Sequence, residues 1–224
     1  MRFECTETIL ASPAEVIIRR QIDWPTLEAL QSDLIRRVEG NHSLFFLLVS
    51  EPLPTFTSGR NASTDDLLWS QTELEEKNVE LASVSRGGKW TYHGPGQILI
   101  YPIGHLSSIG FGSKEARRFV ETFRHSIKLG LETWNLPVQC GEEPFGVFLE
   151  GKKLVSFGLS FEQGISSHGA SIYFSPQESF FSGIRPCGQS NATFTCLQEY
   201  LPDLTWHSAA VSLTNSIKKG FKIS

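Results

Sequence analysis

Cysteine is sparse and unpatterned in this 224-residue chain. The four thiols (Cys5, Cys140, Cys187 and Cys196) show no Cys-x-x-Cys or other metal-ligand spacing. That argues against a zinc module or a disulfide framework and reads as a cytoplasmic protein with reduced thiols. Basic charge is also in deficit, with 20 Lys and Arg against 24 Asp and Glu and a formal net charge of −4. A nucleic-acid binder that works by neutralising many phosphates is therefore disfavoured. Long apolar runs are missing too: the longest, residues 44–49, is far too short to cross a bilayer. Residues 1–11 are mixed and partly acidic and lack the basic n-region of a secretory signal. The Asn-x-Ser/Thr sequons at Asn41, Asn61 and Asn191 accordingly read as chance matches. Neither nucleic acid nor membrane is expected as a partner, and no metal site is expected.

What is present is an ordinary globular balance, 40% apolar and 20% charged. A chain of this length buries about 70% of its unfolded surface, enough to dispense with disulfide staples. Asp23 and Pro25 open a helix whose face carries Leu27, Leu30, Leu34 and Val38 and which Gly40 closes. Residues 44–50 read as a buried strand, followed by a turn through Thr57, Ser58 and Gly59. Residues 60–80 read as a polar loop with a short helix. Strands are expected at 82–85 and 98–103. Ser113 is the expected N-cap of a second helix, with Ala116, Phe119, Val120, Phe123, Ile127, Leu131 and Trp134 at helical spacing and Pro137 ending it. Residues 145–150 and 154–161 form an expected hairpin around Gly151-Lys152-Lys153. A strand at 170–174 and a helix at 208–218 follow. Without regular βαβ alternation, the reading is α+β with a mixed sheet packed with helices. One domain, 1–224, is the simplest organisation, with a small C-terminal subdomain after about residue 182 left open.

Three segments could carry chemistry. The first, Arg86-Gly87-Gly88-Lys89-Trp90-Thr91-Tyr92-His93-Gly94-Pro95-Gly96-Gln97, has four glycines and a proline, as suits a loop whose backbone approaches a ligand. It lacks the Gly-Lys-Ser/Thr ending of a Walker loop, and a plain glycine-rich turn with a satisfied histidine remains open. The second holds Lys153 at the edge of an apolar strand. There it is either a solvated hairpin lysine or a buried amine fit to accept a proton. The third is Pro186-Cys187-Gly188, where a thiol sits in a constrained, sterically open turn. Cys5, Cys140 and Cys196 read instead as small buried hydrophobes.

Together these segments resemble the lipoyl(octanoyl) transferase family of the biotin/lipoate ligase-like superfamily. The resemblance rests on Arg86-Gly87-Gly88 through Gln97 and Tyr101-Pro102-Ile103. It continues through Gly146-Val147, Gly151, Lys153, Ser156-Phe157-Gly158, His168-Gly169 and Pro186-Cys187-Gly188 with Thr195 and Leu197. It implies a biotin/lipoate ligase-like catalytic domain that moves an octanoyl group, without cofactor, ATP or metal. The implied donor is octanoyl-acyl carrier protein. The implied acceptors are lysines on the lipoyl domains of 2-oxoacid dehydrogenase complexes and on the glycine cleavage H protein. Carried over by position, Cys187 is the implied acyl-accepting nucleophile and Lys153 the group that lowers its pKa. Arg86, Gly87, Gly88, Lys89, Trp90, Thr91, Tyr92, His93, Ser156, Phe157, Gly158, Gly169, Ala170 and Ser171 are the implied acyl-site residues.

The chain departs from the family pattern in three places. Ser171-Ile172-Tyr173 stands where Ala-Leu-Asn is usual, Thr195-Cys196-Leu197 stands for Thr-Ser-Leu, and Pro52 follows Glu51 in place of histidine. The alternatives are an ATP-dependent lipoate or biotin ligase on the same scaffold, and an acyl-binding protein without turnover. Docking of acidic partner proteins to an acidic chain calls for a local basic surface, with Arg36, Arg37, Arg117 and Arg118 as contributors.

Overall fold

The computed structural model describes residues 14–185 and 193–223. Its frame is set by two strands whose side chains are buried on both faces, β2 (Phe45–Pro52) and β6 (Gln97–Gly104). Alternation sends Phe45, Leu47, Val49, Ile98 and Ile100 to one side, and Phe46, Leu48, Leu99, Tyr101 and Ile103 to the other. A helix must therefore cover each face. The first is α1 (Trp24–Gly40), which buries Leu27, Leu34 and Val38. Asp23 caps it by accepting the Thr26 N–H at 2.8 Å, with Pro25 in its first turn. The opposite face takes α3 (Ala116–Glu132) and α5 (Trp206–Gly220), which pack on each other and bury Phe119, Phe123, Leu213 and Ile217.

The remaining strands complete a seven-stranded sheet, ordered β1-β2-β6-β10-β9-β8-β7. They are β1 (Glu15–Ile22), β7 (Val138–Glu142), β8 (Phe145–Leu149), β9 (Lys152–Glu162) and β10 (Ile165–Tyr173). Among the described residues of this sheet, only β1 and β2 pair in parallel. A second sheet, β4-β3-β5, is built from β3 (Thr55–Ser58), β4 (Glu80–Ser83) and β5 (Trp90–His93). It packs Phe56 and Tyr92 against Tyr173, Phe180 and Phe181. Two short helices, α2 (Gln71–Glu76) and α4 (Leu197–Tyr200), complete the elements. The α+β reading with a mixed sheet holds.

Several local readings need correction. The segment 55–58, read as a turn, is β3. Within the glycine-rich segment, 90–93 is a strand, because Trp90–His93 pairs antiparallel with β3. The strand expected at 82–85 runs over Glu80–Ser83, and β1 and β7 carry no clear alternation that would announce them. Ser113 does not cap α3; the helix starts after Glu115, whose carboxylate turns back to the Gly112 N–H at 2.6 Å. It ends at Glu132, so Trp134 lies beyond it and Pro137 is not the residue that stops it. The β8–β9 turn is Glu150-Gly151, both at positive φ, which places Lys152 and Lys153 in the strand rather than in the turn.

Phe123, on α3, is fully buried, its ring edge-on to Phe157 of β9 and beside Phe221, the residue after α5. Phe123→Ala is expected to cost about 3–5 kcal/mol by cavity formation. Urea denaturation measures it, and a loss below about 1 kcal/mol would mean that α3 is not the lid of this core.

Candidate active site

A cavity of about 390 Å³ lies between the two sheets, within the usual range for small-molecule sites. Its floor is a run of small residues on the paired strands β9 and β10: Ser156 and Gly158 on one, Gly169, Ala170 and Ser171 on the other. Gly158 lies opposite Gly169 in the register. A Cβ on Gly158 would stand 3.1 Å from Arg86 Cδ, and one on Gly169 would collide with the Ile100 carbonyl oxygen. The loop from Arg86 to Lys89 and the start of β5 form the roof. Pro144, Phe145, Phe148 and Phe157 give an apolar wall, and Lys153 stands beside them.

Lys153 reaches the cavity because of a break in strand alternation. Val155 pairs with Val147 but Lys153 pairs with Phe148, so β9 carries one residue more than β8 at this point. This β-bulge sends Leu154 and Val155 both into the core and leaves Lys153 and Ser156, an odd spacing apart, both lining the cavity. Lys153 is only 9% exposed, and its Nζ donates to the Phe145 carbonyl at 3.4 Å. Its backbone is fixed on the side away from β8 as well. Lys153 N donates to Thr193 O at 3.0 Å, and Thr195 N donates to Lys153 O at 3.1 Å. Of the two local readings of Lys153, the solvated hairpin lysine does not fit.

Arg86 is a strut. Its guanidinium donates to the Thr57 carbonyl (2.8 Å), the Thr57 hydroxyl (2.7 Å) and the Gly87 carbonyl (3.0 Å), tying the roof to β3. Lys89 pairs with Asp66 at 3.4 Å, and Trp90 Nε1 donates to the Ser63 carbonyl at 2.7 Å. His93 is stacked on Trp24 and shares a hydrogen bond with Gln97, whose amide also donates to Tyr92 O. Ser171 donates to the same Gln97 oxygen at 2.7 Å, and the Tyr173 and Ser156 hydroxyls stand 2.9 Å apart. These contacts are what the Ser171-Ile172-Tyr173 departure adds. Glu51 accepts the Gly96 N–H at 3.0 Å and pairs with Arg20, holding the Gly94-Pro95-Gly96 turn.

Of the expected site residues, Arg86, Gly87, Gly88, Lys89, Trp90, Thr91, His93, Lys153, Ser156, Phe157, Gly158, Gly169, Ala170 and Ser171 all line the cavity. Tyr92 does not: β5 turns it the other way, against Phe56, Phe180 and Phe181. Cys187 and Cys5 lie outside the described residues, although the chain resumes at Thr193 on the cavity wall. Cys140 is exposed on β7, not a buried hydrophobe as expected, and Cys196 is partly buried beside Glu199. Desolvation holds both of these thiols above the ordinary cysteine pKa, which makes them poor nucleophiles. Lining residues that sequence reasoning did not assign to the site include Tyr101, Phe145, Phe148, His168, Tyr173 and Phe194. The four arginines share no surface, since α1 and α3 cover opposite faces of the sheet. Arg36, Arg37 and Arg118 each pair with a nearby carboxylate.

A family model for the lipoyl protein ligase A/B catalytic domain matches residues 26–218. An octanoyltransferase of Coxiella burnetii (strain RSA 493 / Nine Mile phase I) is 32% identical over 166 residues, covering 67% of this chain and 67% of that protein. The mitochondrial octanoyltransferase LIP2 of Arabidopsis thaliana is 33% identical over 170 residues, covering 75% and 71%. A putative lipoate protein ligase of T. acidophilum with bound lipoic acid superposes with a TM-score of 0.77 at 11% identity, over 95% of this chain and 88% of that one. At that identity the likeness shows the fold alone. The chain belongs to the lipoyl protein ligase A/B catalytic-domain family of enzymes. Within that family it falls with the lipoyl(octanoyl) transferases.

Burial, reinforced by the Arg86 charge, lowers the pKa of His93 to about 3 and that of His168 to about 4. Both imidazoles stay neutral in the folded state at neutral pH, whereas the unfolded chain protonates them near about 6.5. Stability from this source is complete above that value and is lost as pH falls toward 4. The urea midpoint is therefore expected to drop between pH 7 and pH 5.5, where carboxylates stay ionised, and the drop should shrink in His93→Gln/His168→Gln. A midpoint flat over that window would contradict the neutral, buried state.

Proposed function

We propose that this enzyme transfers an octanoyl group from acyl carrier protein to a lysine of a lipoyl domain through a thioester on Cys187. The carrying observation is the cavity itself. Small residues floor it, aromatic side chains wall it, and Lys153 stands buried on its margin beside Thr193. Such a space accepts a flexible apolar chain and offers one basic group at the side where the chain leads back from Cys187.

In the first half-reaction Lys153 takes the Cys187 thiol proton. The thiolate attacks the carrier's thioester carbonyl, the new S–C bond forms, and the carrier's sulfur leaves and is protonated. In the second, the acceptor lysine amine attacks the acyl-cysteine carbonyl. The amide forms, the Cys187 sulfur leaves, and the amine's proton returns through Lys153. One thioester replaces another at little energetic cost and the amide lies downhill, so no nucleotide enters the balance. Backbone N–H groups of the glycine-rich roof are the stabilisers of the tetrahedral oxyanion. A single catalytic domain fits this reading, because α5 completes the same core that α3 covers. A reducing, cytoplasmic compartment fits it as well, since the thiol must stay free to react.

The test is transfer from octanoyl-carrier to an isolated lipoyl domain without ATP. Cys187→Ala is expected to abolish it, and Lys153→Ala to slow it by about 10²-fold or more. Transfer that requires ATP and survives Cys187→Ala would assign a ligase chemistry instead. Carrier binding with no transfer by the unaltered enzyme would assign a binding protein.

A further inference from the structure

One buried charge lies outside the cavity yet connects to it. Arg124, on α3, has a side chain only 7% exposed. It donates to the Gly141 carbonyl at 2.8 Å, to Glu142 Oε1 at 2.6 Å and to Glu121 Oε2 at 2.5 Å. Its guanidinium carbon also stands 4.2 Å from the Phe145 ring centroid. Three of these contacts fall on the end of β7 and the start of β8, either side of their turn, so one planar, five-donor group fixes this end of the hairpin to the helix. Phe145 then meets the site twice. Its ring lines the cavity, edge-on to Phe157 at 5.6 Å, and its carbonyl oxygen accepts from Lys153 Nζ.

We propose that Arg124 is a positioning residue for Lys153, acting through the Phe145 carbonyl. Desolvating a guanidinium is costly, and an apolar side chain of similar volume often serves packing equally well. Fold stability alone therefore gives little reason for an arginine here. A fork that holds a carbonyl, a carboxylate and an aromatic face in one geometry gives a better one. The proposal rests on the role of Lys153 given above.

Arg124→Met keeps the length and the apolar bulk, and circular dichroism checks that the chain still folds. Transfer turnover and KM for octanoyl-carrier are measured in the native and the Lys153→Ala backgrounds. Turnover is expected to fall by about tenfold or more, with KM within about twofold, since a small displacement of a proton acceptor acts on the chemical step. In the Lys153→Ala background the same substitution should produce no further loss, because the two act as one unit. Arg124→Lys keeps the cation but cannot hold both acceptors, and should fall between; it carries the comparison if the methionine variant does not fold. Undiminished turnover in the folded variant, a loss confined to KM, or an equal further loss without Lys153 would each overturn the proposal. Full turnover by Lys153→Ala alone would instead remove the lysine's own role, and this inference with it.

Discussion

One extra residue in β9 decides where Lys153 points. Regular alternation would place Lys153 and Ser156 on opposite faces of the sheet. The bulge sends Leu154 and Val155 together into the core, where both are fully buried, and returns Lys153 to the cavity face ahead of Ser156. The strand keeps its pairing on both sides of the irregularity. β8 holds it on one flank, while residues 193–195 replace β10 on the other, once β10 has ended at Tyr173. Bulges recur beside active sites because they re-aim a side chain without sacrificing the sheet, and this one connects the apolar core to the site.

The second constraint is desolvation. The cavity is surrounded by polar groups that the fold has withdrawn from water: Arg86, His93, His168, Gln97 and, behind the Gly96 turn, Glu51. Most are paired in small separate sets: Arg86 with Thr57 of β3, Gln97 of β6 with His93 and Ser171, and Glu51 with the Gly96 N–H. His168 donates or accepts at Nε2 with Ser85, while its Nδ1 has no hydrogen-bond partner among the described residues. Buried polar sets of this kind are costly to build and rigid once satisfied. The same frame serves lipoate-protein ligases: one solved with ATP bound superposes with a TM-score of 0.76 at 10% identity. At that identity the likeness shows the fold alone, and a shared fold leaves the chemistry to a few side chains.

The sequence pointed to most of the residues that line the cavity, and less evenly to the strands around it. The glycine-rich segment stood out because close backbone approach demands small residues, whereas Ser156-Phe157-Gly158 and Gly169 to Ser171 came from the family resemblance alone. Strands with strong apolar content, such as β2 and β6, and the helices with regular faces were legible for the usual reason of periodicity. β1, β3 and β7 were not: they are short or exposed, and tertiary pairing decides them. Tyr92 was misassigned because the motif was read as a loop, in which every residue can face a ligand. In the strand Thr91 and His93 face the cavity and Tyr92 does not, while Trp90 reaches the lining from the strand's first position. The bulge at Leu154 left no local signature either, since it arises from the register between two strands that sequence spacing alone does not fix. Arg124 escaped for a related reason, because its partners lie across the β7–β8 turn.

The most direct test of the account is the mass of the intact enzyme after exposure to octanoyl-carrier, followed by peptide mapping and addition of a lipoyl domain. The account predicts one octanoyl adduct, labile to hydroxylamine, on the peptide bearing Cys187, and its complete discharge onto the lipoyl domain. An enzyme that transfers octanoyl groups yet never carries the adduct, or carries it on Cys140 or Cys196, would contradict it.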